Sequence, residues 1–303
     1  MRRVFLAIIV STLLCGQSTL PAFPPGVFSQ RGALDGTISY SGPGDVVTSA
    51  LVWYGLRAYS AATRGNAAIN VCNVSDVACA DLSTDPNTGE LIVSAIGGSS
   101  CAIVTCTVKI LYDQSGNSRN ITTATIANRA ILKLNCIGAQ PCLNFNASTQ
   151  GYESTFSISQ AQPVSISNVG YASASMNFLT SYHSSAGAVG CGMFWDAANT
   201  WGIYADGTGA ALLTKSATDS SWHAAQAVCN GASSVLNIDG TDATGTTGND
   251  SLAYHVSIGA DAFGSIVGGY WVESGLWSSG FSSGNRTAMC HNQYTYWGTS
   301  TSC

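Results

Sequence analysis

Cys101-Ala-Ile-Val-Thr-Cys106-Thr-Val-Lys-Ile-Leu-Tyr112-Asp113-Gln-Ser-Gly116-Asn-Ser-Arg-Asn120-Ile-Thr122 joins a short cysteine loop to an apolar strand and then to a turn. Residues 107–113 combine β-branched and apolar side chains, which favours a strand. The following Asp-Gln-Ser-Gly is turn chemistry, and Asp113 reads as a turn-former whose carboxylate accepts backbone N–H groups.

The same grammar extends along the chain. Beyond Leu56, alternation and glycine punctuation predict strands over 57–64, 107–113, 130–134, 163–171, 192–195, 202–204, 210–214, 222–229, 234–238, 255–259 and 269–277. Val46 to Gly55 is the one helical candidate, with Asp45 as N-cap. Trp222-His223 opens a strand that reaches Asn230-Gly231, and Ser234–Ile238 follows it into Asp239-Gly240. Asn-Gly and Asp-Gly tolerate positive φ and close hairpins. The fold expected is all-β: a jelly-roll (concanavalin A-like) two-sheet sandwich with one short N-terminal helix.

Composition agrees. Charged residues are 9% of the chain and glycine numbers 33, which suits short strands and turns better than solvated helices. A hydrophobic share of 46%, with 12 Tyr and 7 Trp, can bury a large core, so disorder is excluded. The net charge of −5 argues against nucleic acid and is compatible with a neutral polysaccharide or glycan. Met1-Arg2-Arg3 followed by the apolar run Val4 to Leu14 reads as a secretory signal peptide over 1–22. Residues 23–303 are then one domain, expected as a monomer in the extracellular space or periplasm, without a membrane anchor. Ten cysteines remain after the leader, and disulfides are their default fate in an oxidising compartment. Proximity in sequence favours Cys72 with Cys79, Cys101 with Cys106, Cys136 with Cys142 and Cys290 with Cys303, leaving Cys191 for Cys229. Zinc-knuckle spacing is missing and the four histidines are scattered, so no metal or cofactor is expected.

The cysteine loop, its strand and the Tyr-Asp-Gln-Ser-Gly turn resemble the catalytic domain of fungal-type α-L-arabinofuranosidase B. Further patches of likeness run from about Val47 to Trp297, and the Trp-His hairpin is similar to those of laminin-G and concanavalin-like sandwiches. The resemblance implies hydrolysis of terminal α-L-arabinofuranosyl groups. It makes Asp261, in Ile258-Gly-Ala-Asp261, the general acid/base where the family has Ile-Gly-Gly-Asp. It also makes Trp201, in Thr200-Trp-Gly202, a platform for the sugar, with Asp206 beside it. The alternatives from the residues alone are a turn Asp at 261 and 206, and a core Trp at 201.

The likeness breaks at the nucleophile. The family carries a glutamate in Asp-x-Glu-Asn on the next strand, whereas Thr208–Asp219 here holds no Glu, and its only acid is Asp219. The family's two adjacent cysteines beneath the sugar are replaced by Cys191 alone, and its C-terminal arabinose-binding module has no counterpart before Cys303. Retaining hydrolysis needs two carboxyl groups about 5–5.5 Å apart. Glu153 and Glu273 are the replacement acids to consider, and a strand position facing solvent is the other reading of Glu273. The rival function is a non-catalytic glycan-binding or surface protein on the same fold. Asn73, Asn120, Asn146, Asn249 and Asn285 begin glycosylation sequons.

Overall fold

The hydrophobic run 50–56 forms a strand rather than a helix. Leu51-Val-Trp-Tyr combines aromatic and β-branched residues, and nearly every side chain of Ala50–Gly55 is buried, which a strand between two packed layers permits. The expected helix over 46–55 is therefore corrected. The helix present is the four-residue Pro43–Val46, where Asp45 lies inside the first turn and its Oδ2 accepts the Gly42 N–H at 2.8 Å. The expected strand 57–64 is also corrected. Ser60 and Thr63 hydrogen-bond each other's backbone, and this local bonding curls Ala61–Thr63 into a 3-10 turn. Arg57 keeps only an isolated bridge to Glu90.

The computed structural model describes residues 39–96, 106–146, 149–172, 177–183, 189–196, 199–206, 211–217, 220–249, 253–259, 269–299 and 303. The expected signal peptide lies outside them. Two antiparallel sheets make up the fold. The larger has twelve strands, ordered Thr241–Gly245, Ser234–Ile238, Trp222–Cys229, Val164–Ala172, Gly269–Trp277, Gln140–Phe145, Ile131–Ile137, Thr107–Leu111, Ala67–Cys72 and Cys79–Ser83. Ala50–Gly55 adds to the edge of Gly269–Trp277, and Ile121–Thr122 pairs with Thr107–Leu111. The smaller has seven, ordered Leu212–Ser216, Thr200–Tyr204, Val189–Asp196, Asn177–His183, Ala253–Ile258 and Tyr152–Glu153, with Ile158–Ser159 also on Ala253–Ile258. This is the two-sheet sandwich expected from the sequence.

Between the sheets lies an apolar core that includes Ile166, Ala227, Trp195, Trp201, Ile203 and Trp271. Polar groups meet within it at Asn168. Its Oδ1 accepts from Ser274 Oγ at 2.7 Å and from Thr180 Oγ1 at 3.3 Å, which pairs these three buried oxygens. Cys191–Cys229 joins the two sheets covalently. Cys72–Cys79, Cys136–Cys142 and Cys290–Cys303 also form as expected. Cys106 is disulfide-bonded, and Cys101 lies outside the described residues.

One helix was not anticipated. Ser283–Trp297 lies against the outer face of the larger sheet, capped by Ser282, whose Oγ accepts the Asn285 N–H, and ended by Gly298 at φ 66°. Its Gln293 amide donates to Ser167 Oγ and Glu273 Oε1, each at 3.0 Å, and its carbonyl accepts from Gln226 at 2.8 Å. Beside this contact Arg57 and Glu273 form a two-point ion pair, with both side chains at 0% exposure and N–O distances of 2.6 and 2.9 Å. Arg57 also reaches Asn292 Oδ1 at 2.8 Å and lies over the Tyr296 ring at 4.5 Å.

Removing one partner of such a pair strands a charge in the core. Glu273→Gln is therefore expected to lower unfolding free energy by about 3–5 kcal/mol in urea titrations. The double variant Arg57→Met/Glu273→Leu should lose much less. Equal losses in both would show that packing, not charge, holds the helix in place.

Candidate functional site

The Trp-His hairpin sets the geometry of the inter-sheet region where the sugar site was expected. Asp239 and Gly240 both have positive φ, 50° and 80°, as the hairpin turn requires. That turn aims Asp239 back along the strand. Its Oδ1 accepts the Ala224 N–H at 3.0 Å, and its Oδ2 lies 2.5 Å from His223 Nδ1. His223 is buried, stacked on Trp195 at 6.1 Å and meeting the edge of Trp201 at 5.9 Å. The pairing of His223 with a turn carboxylate was missed in the sequence; the Asp-Gly sixteen residues after it was the available signal. Asn230-Gly231 closes differently, through a 3-10 turn over Gly231–Ser233.

Trp201 is enclosed at 0% exposure, its ring perpendicular to Trp195 at 5.3 Å. This is the core position that the residues alone had offered as the alternative to an open platform. The Thr-Trp-Gly pattern has a steric cause, since Gly202 lies under the Phe194 ring and a Cβ there would sit 2.3 Å from Cζ. Asp206 follows on the turn and accepts the Ala211 N–H at 2.9 Å.

The carboxylates sort by environment. Glu273 is locked in its ion pair with Arg57, so neither the replacement-acid reading nor the solvent-facing reading holds: helix Ser283–Trp297 covers that part of the sheet. Asp113 binds the N–H groups of Trp53, Ser115 and Arg119 at 2.9–3.0 Å, which is the turn role read from the sequence. Glu153 is exposed, directly across from Ser257 on Ala253–Ile258. Asp261 and Asp219 lie outside the described residues. Leading to Asp261, Gly259 has φ 73° and packs so closely on Phe145 that a Cβ would fall 2.3 Å from Cε1. The glycine of Ile-Gly-Ala-Asp is thus required both by its backbone conformation and by space.

The fold is an antiparallel two-sheet sandwich that solved arabinofuranosidase structures share. Two solved structures show the likeness. One is an arabinofuranosidase complexed with arabinofuranosyl-α-1,2-xylobiose, at TM-score 0.62 and 16% identity, matched over 84% of this chain and 65% of that one. The other is a GH54 α-L-arabinofuranosidase soaked with a cyclic sulfate inhibitor, at TM-score 0.62 and 17% identity over the same shares. The chain thus spans a little under two thirds of the length of these neighbours. No protein-family model matches it, and no curated protein matches it.

Away from this region, Cys72, Asp76 and Cys79 bring three ligand-type atoms within 4.8 Å. Both sulfurs are committed to a disulfide, and Asp76 is held by Arg129 at 2.8 Å and Lys109 at 3.1 Å, so the cluster has the chemistry of a stapled hairpin rather than a metal site. Hydrogen bonds from Arg129 and Lys109 lower the Asp76 pKa from 3.8 to about 2. A depressed carboxyl pKa contributes stability above the unfolded-state value and loses it as pH falls through the folded value. The bridge is accordingly expected to persist at pH 3 and to be lost near pH 2, as read from the Asp76 carboxyl carbon in an NMR titration. Arg129→Met should raise that midpoint, and an unchanged midpoint would refute the assignment.

Proposed function

We propose that the protein is a secreted glycoside hydrolase that releases terminal α-L-arabinofuranosyl groups from a polysaccharide, with Asp261 as general acid/base. The observation that carries this reading is the run Ile258-Gly259-Ala-Asp261, which leaves the end of a strand inside the smaller sheet of a glycosidase-type sandwich. Proton donation to a leaving oxygen needs a carboxyl whose pKa is raised by partial burial, and Asp261 is the acid that the motif offers for that role. In this reading Trp201, packed against Trp195 and His223, braces the sugar site from within the core, and Asp206 lies close after it in the chain. With Glu273 committed to Arg57, Glu153, Asp206 and Asp219 are the acids left to act as nucleophile. Export to an oxidising compartment accords with the apolar leader and with four disulfides among the described residues. No helix among the described residues is long and apolar enough to cross a membrane.

A second reading, glycan binding without turnover, draws on the strand Leu212–Ser216, which carries no acid where a nucleophile is needed. The two separate in one assay. The full chain should release 4-nitrophenol from its α-L-arabinofuranoside, and Asp261→Asn should reduce kcat/KM by about 10²–10⁴. Among Glu153→Ala, Asp206→Ala and Asp219→Ala, the variant whose lost activity returns with azide identifies the nucleophile. Inactivity on a panel of furanosides and pyranosides would eliminate the hydrolase reading and leave the binding one.

A further inference from the structure

Three aromatic side chains meet on a face of the larger sheet that the candidate site does not use. Tyr171 pairs directly with Trp222 on one side and with Tyr270 on the other. A register shift between Val169 and Gly170 keeps Tyr270 in line with Tyr171, so all three point the same way. That way is outward. His223, the neighbour of Trp222, points inward to Trp195 and Trp201, and successive strand residues alternate faces. Ser167, on the same face as Tyr171, and Gln226, on the same face as Trp222, meet Gln293 of the outer helix. Tyr171 lies four residues after Ser167 and Trp222 four residues before Gln226, at the same end of the antiparallel pair.

The rings form a patch rather than three separate contacts. Tyr171 lies 5.3 Å from Tyr270 and 5.8 Å from Trp222, and Trp222 and Tyr270 are near-parallel at 6.2 Å. All three are half-buried. Lys133 Nζ sits over the Tyr270 ring at 4.4 Å and donates to its hydroxyl at 3.1 Å, which puts an ammonium at the edge of the patch. Among the described residues the exposed large aliphatic side chains are Val74, Val77 and Leu212, all on other strands or turns. The patch is therefore aromatic and bounded, unlike the broad apolar surface of a protein interface. Aromatic faces with polar edges suit the C–H faces and hydroxyl rims of sugars.

We propose that Tyr171, Trp222 and Tyr270, with Lys133 at their edge, form a second carbohydrate-binding platform on the outer face of the larger sheet, taking a neutral polysaccharide by ring stacking. It rests on the reading that the protein meets polysaccharide, but not on its cleaving one. The platform and the core Trp201 lie on opposite faces of the strand that carries Trp222 and His223, so the platform is separate from the candidate hydrolytic site.

The test is affinity electrophoresis of the full chain through gels containing soluble arabinoxylan, compared with gels lacking it. The parent protein and Asp261→Asn should be retarded alike. Trp222→Ala and Tyr270→Ala should each weaken binding about tenfold, the loss of roughly one ring contact, and Lys133→Ala should weaken it less. Near-UV circular dichroism identifies any variant that fails to fold. Lys133 is exposed, so its variant keeps the test decisive if an aromatic substitution misfolds. No retardation of the parent, or variants at Tyr270 and Lys133 that migrate as the parent does, would overturn the platform. Retardation lost only in Asp261→Asn would assign binding to the candidate hydrolytic site and overturn it too. Inactivity toward the chromogenic furanoside with retardation intact would sink the hydrolase reading alone.

Discussion

The ion pair between Arg57 and Glu273 ties together the central strand of the larger sheet, the segment after the first strand and the C-terminal helix. Both groups are fully buried, so each needs the other: either alone would leave a charge without water or partner. Glu273 sits on Gly269–Trp277, the strand that pairs with Ala50–Gly55, Val164–Ala172 and Gln140–Phe145. Arg57 follows directly from Ala50–Gly55, while Asn292, Gln293 and Tyr296 bring the C-terminal helix onto the pair. Tyr40, whose hydroxyl donates to Ala58 O, closes the same region from the N-terminal side and packs edge-on against Tyr296. Segments distant in sequence are thus held in one register by a contact that tolerates little displacement.

The strands were legible where the local signal and the tertiary environment agreed. Trp222–Cys229, Ser234–Ile238 and Gly269–Trp277 fall on the residues that alternation and turn chemistry indicated. The helix Ser283–Trp297 was not legible because its sequence, Ser-Gly-Asn-Arg-Thr-Ala-Met-Cys-His-Asn-Gln-Tyr-Thr-Tyr-Trp, is polar on most faces. Its buried stripe of Arg286, Met289, Cys290, Gln293 and Trp297 mixes polar with apolar side chains, and hydrophobic periodicity detects only an apolar stripe. Its ends were nonetheless written in Ser282 and Gly298. Residues 46–55 have side-chain spacing that a helix would accept, but Val52, Trp53 and Tyr54 prefer a pleated, buried surface and form the strand Ala50–Gly55.

The candidate site was legible in its motifs and not in its pairings. Gly202 and Gly259 had identifiable neighbours in the sequence, but the reasons they are glycine, Phe194 and Phe145, lie on other strands. Asp239 read as a turn residue, which it is, and nothing local announced that the turn would deliver its carboxylate to His223. Glu273 misled because a strand Glu is ordinarily solvated, and its burial depends on an arginine 216 positions away.

Among the described residues, Cys191–Cys229 is the disulfide that joins the two sheets, and it has a mechanical consequence. It fixes the end of strand Trp222–Cys229 to strand Val189–Asp196, so the layers can neither slide nor part there. Any adjustment of the protein to the shape of a ligand must therefore come from bending of the connections at the sheet ends, while the layers behind them act as a stiff anvil.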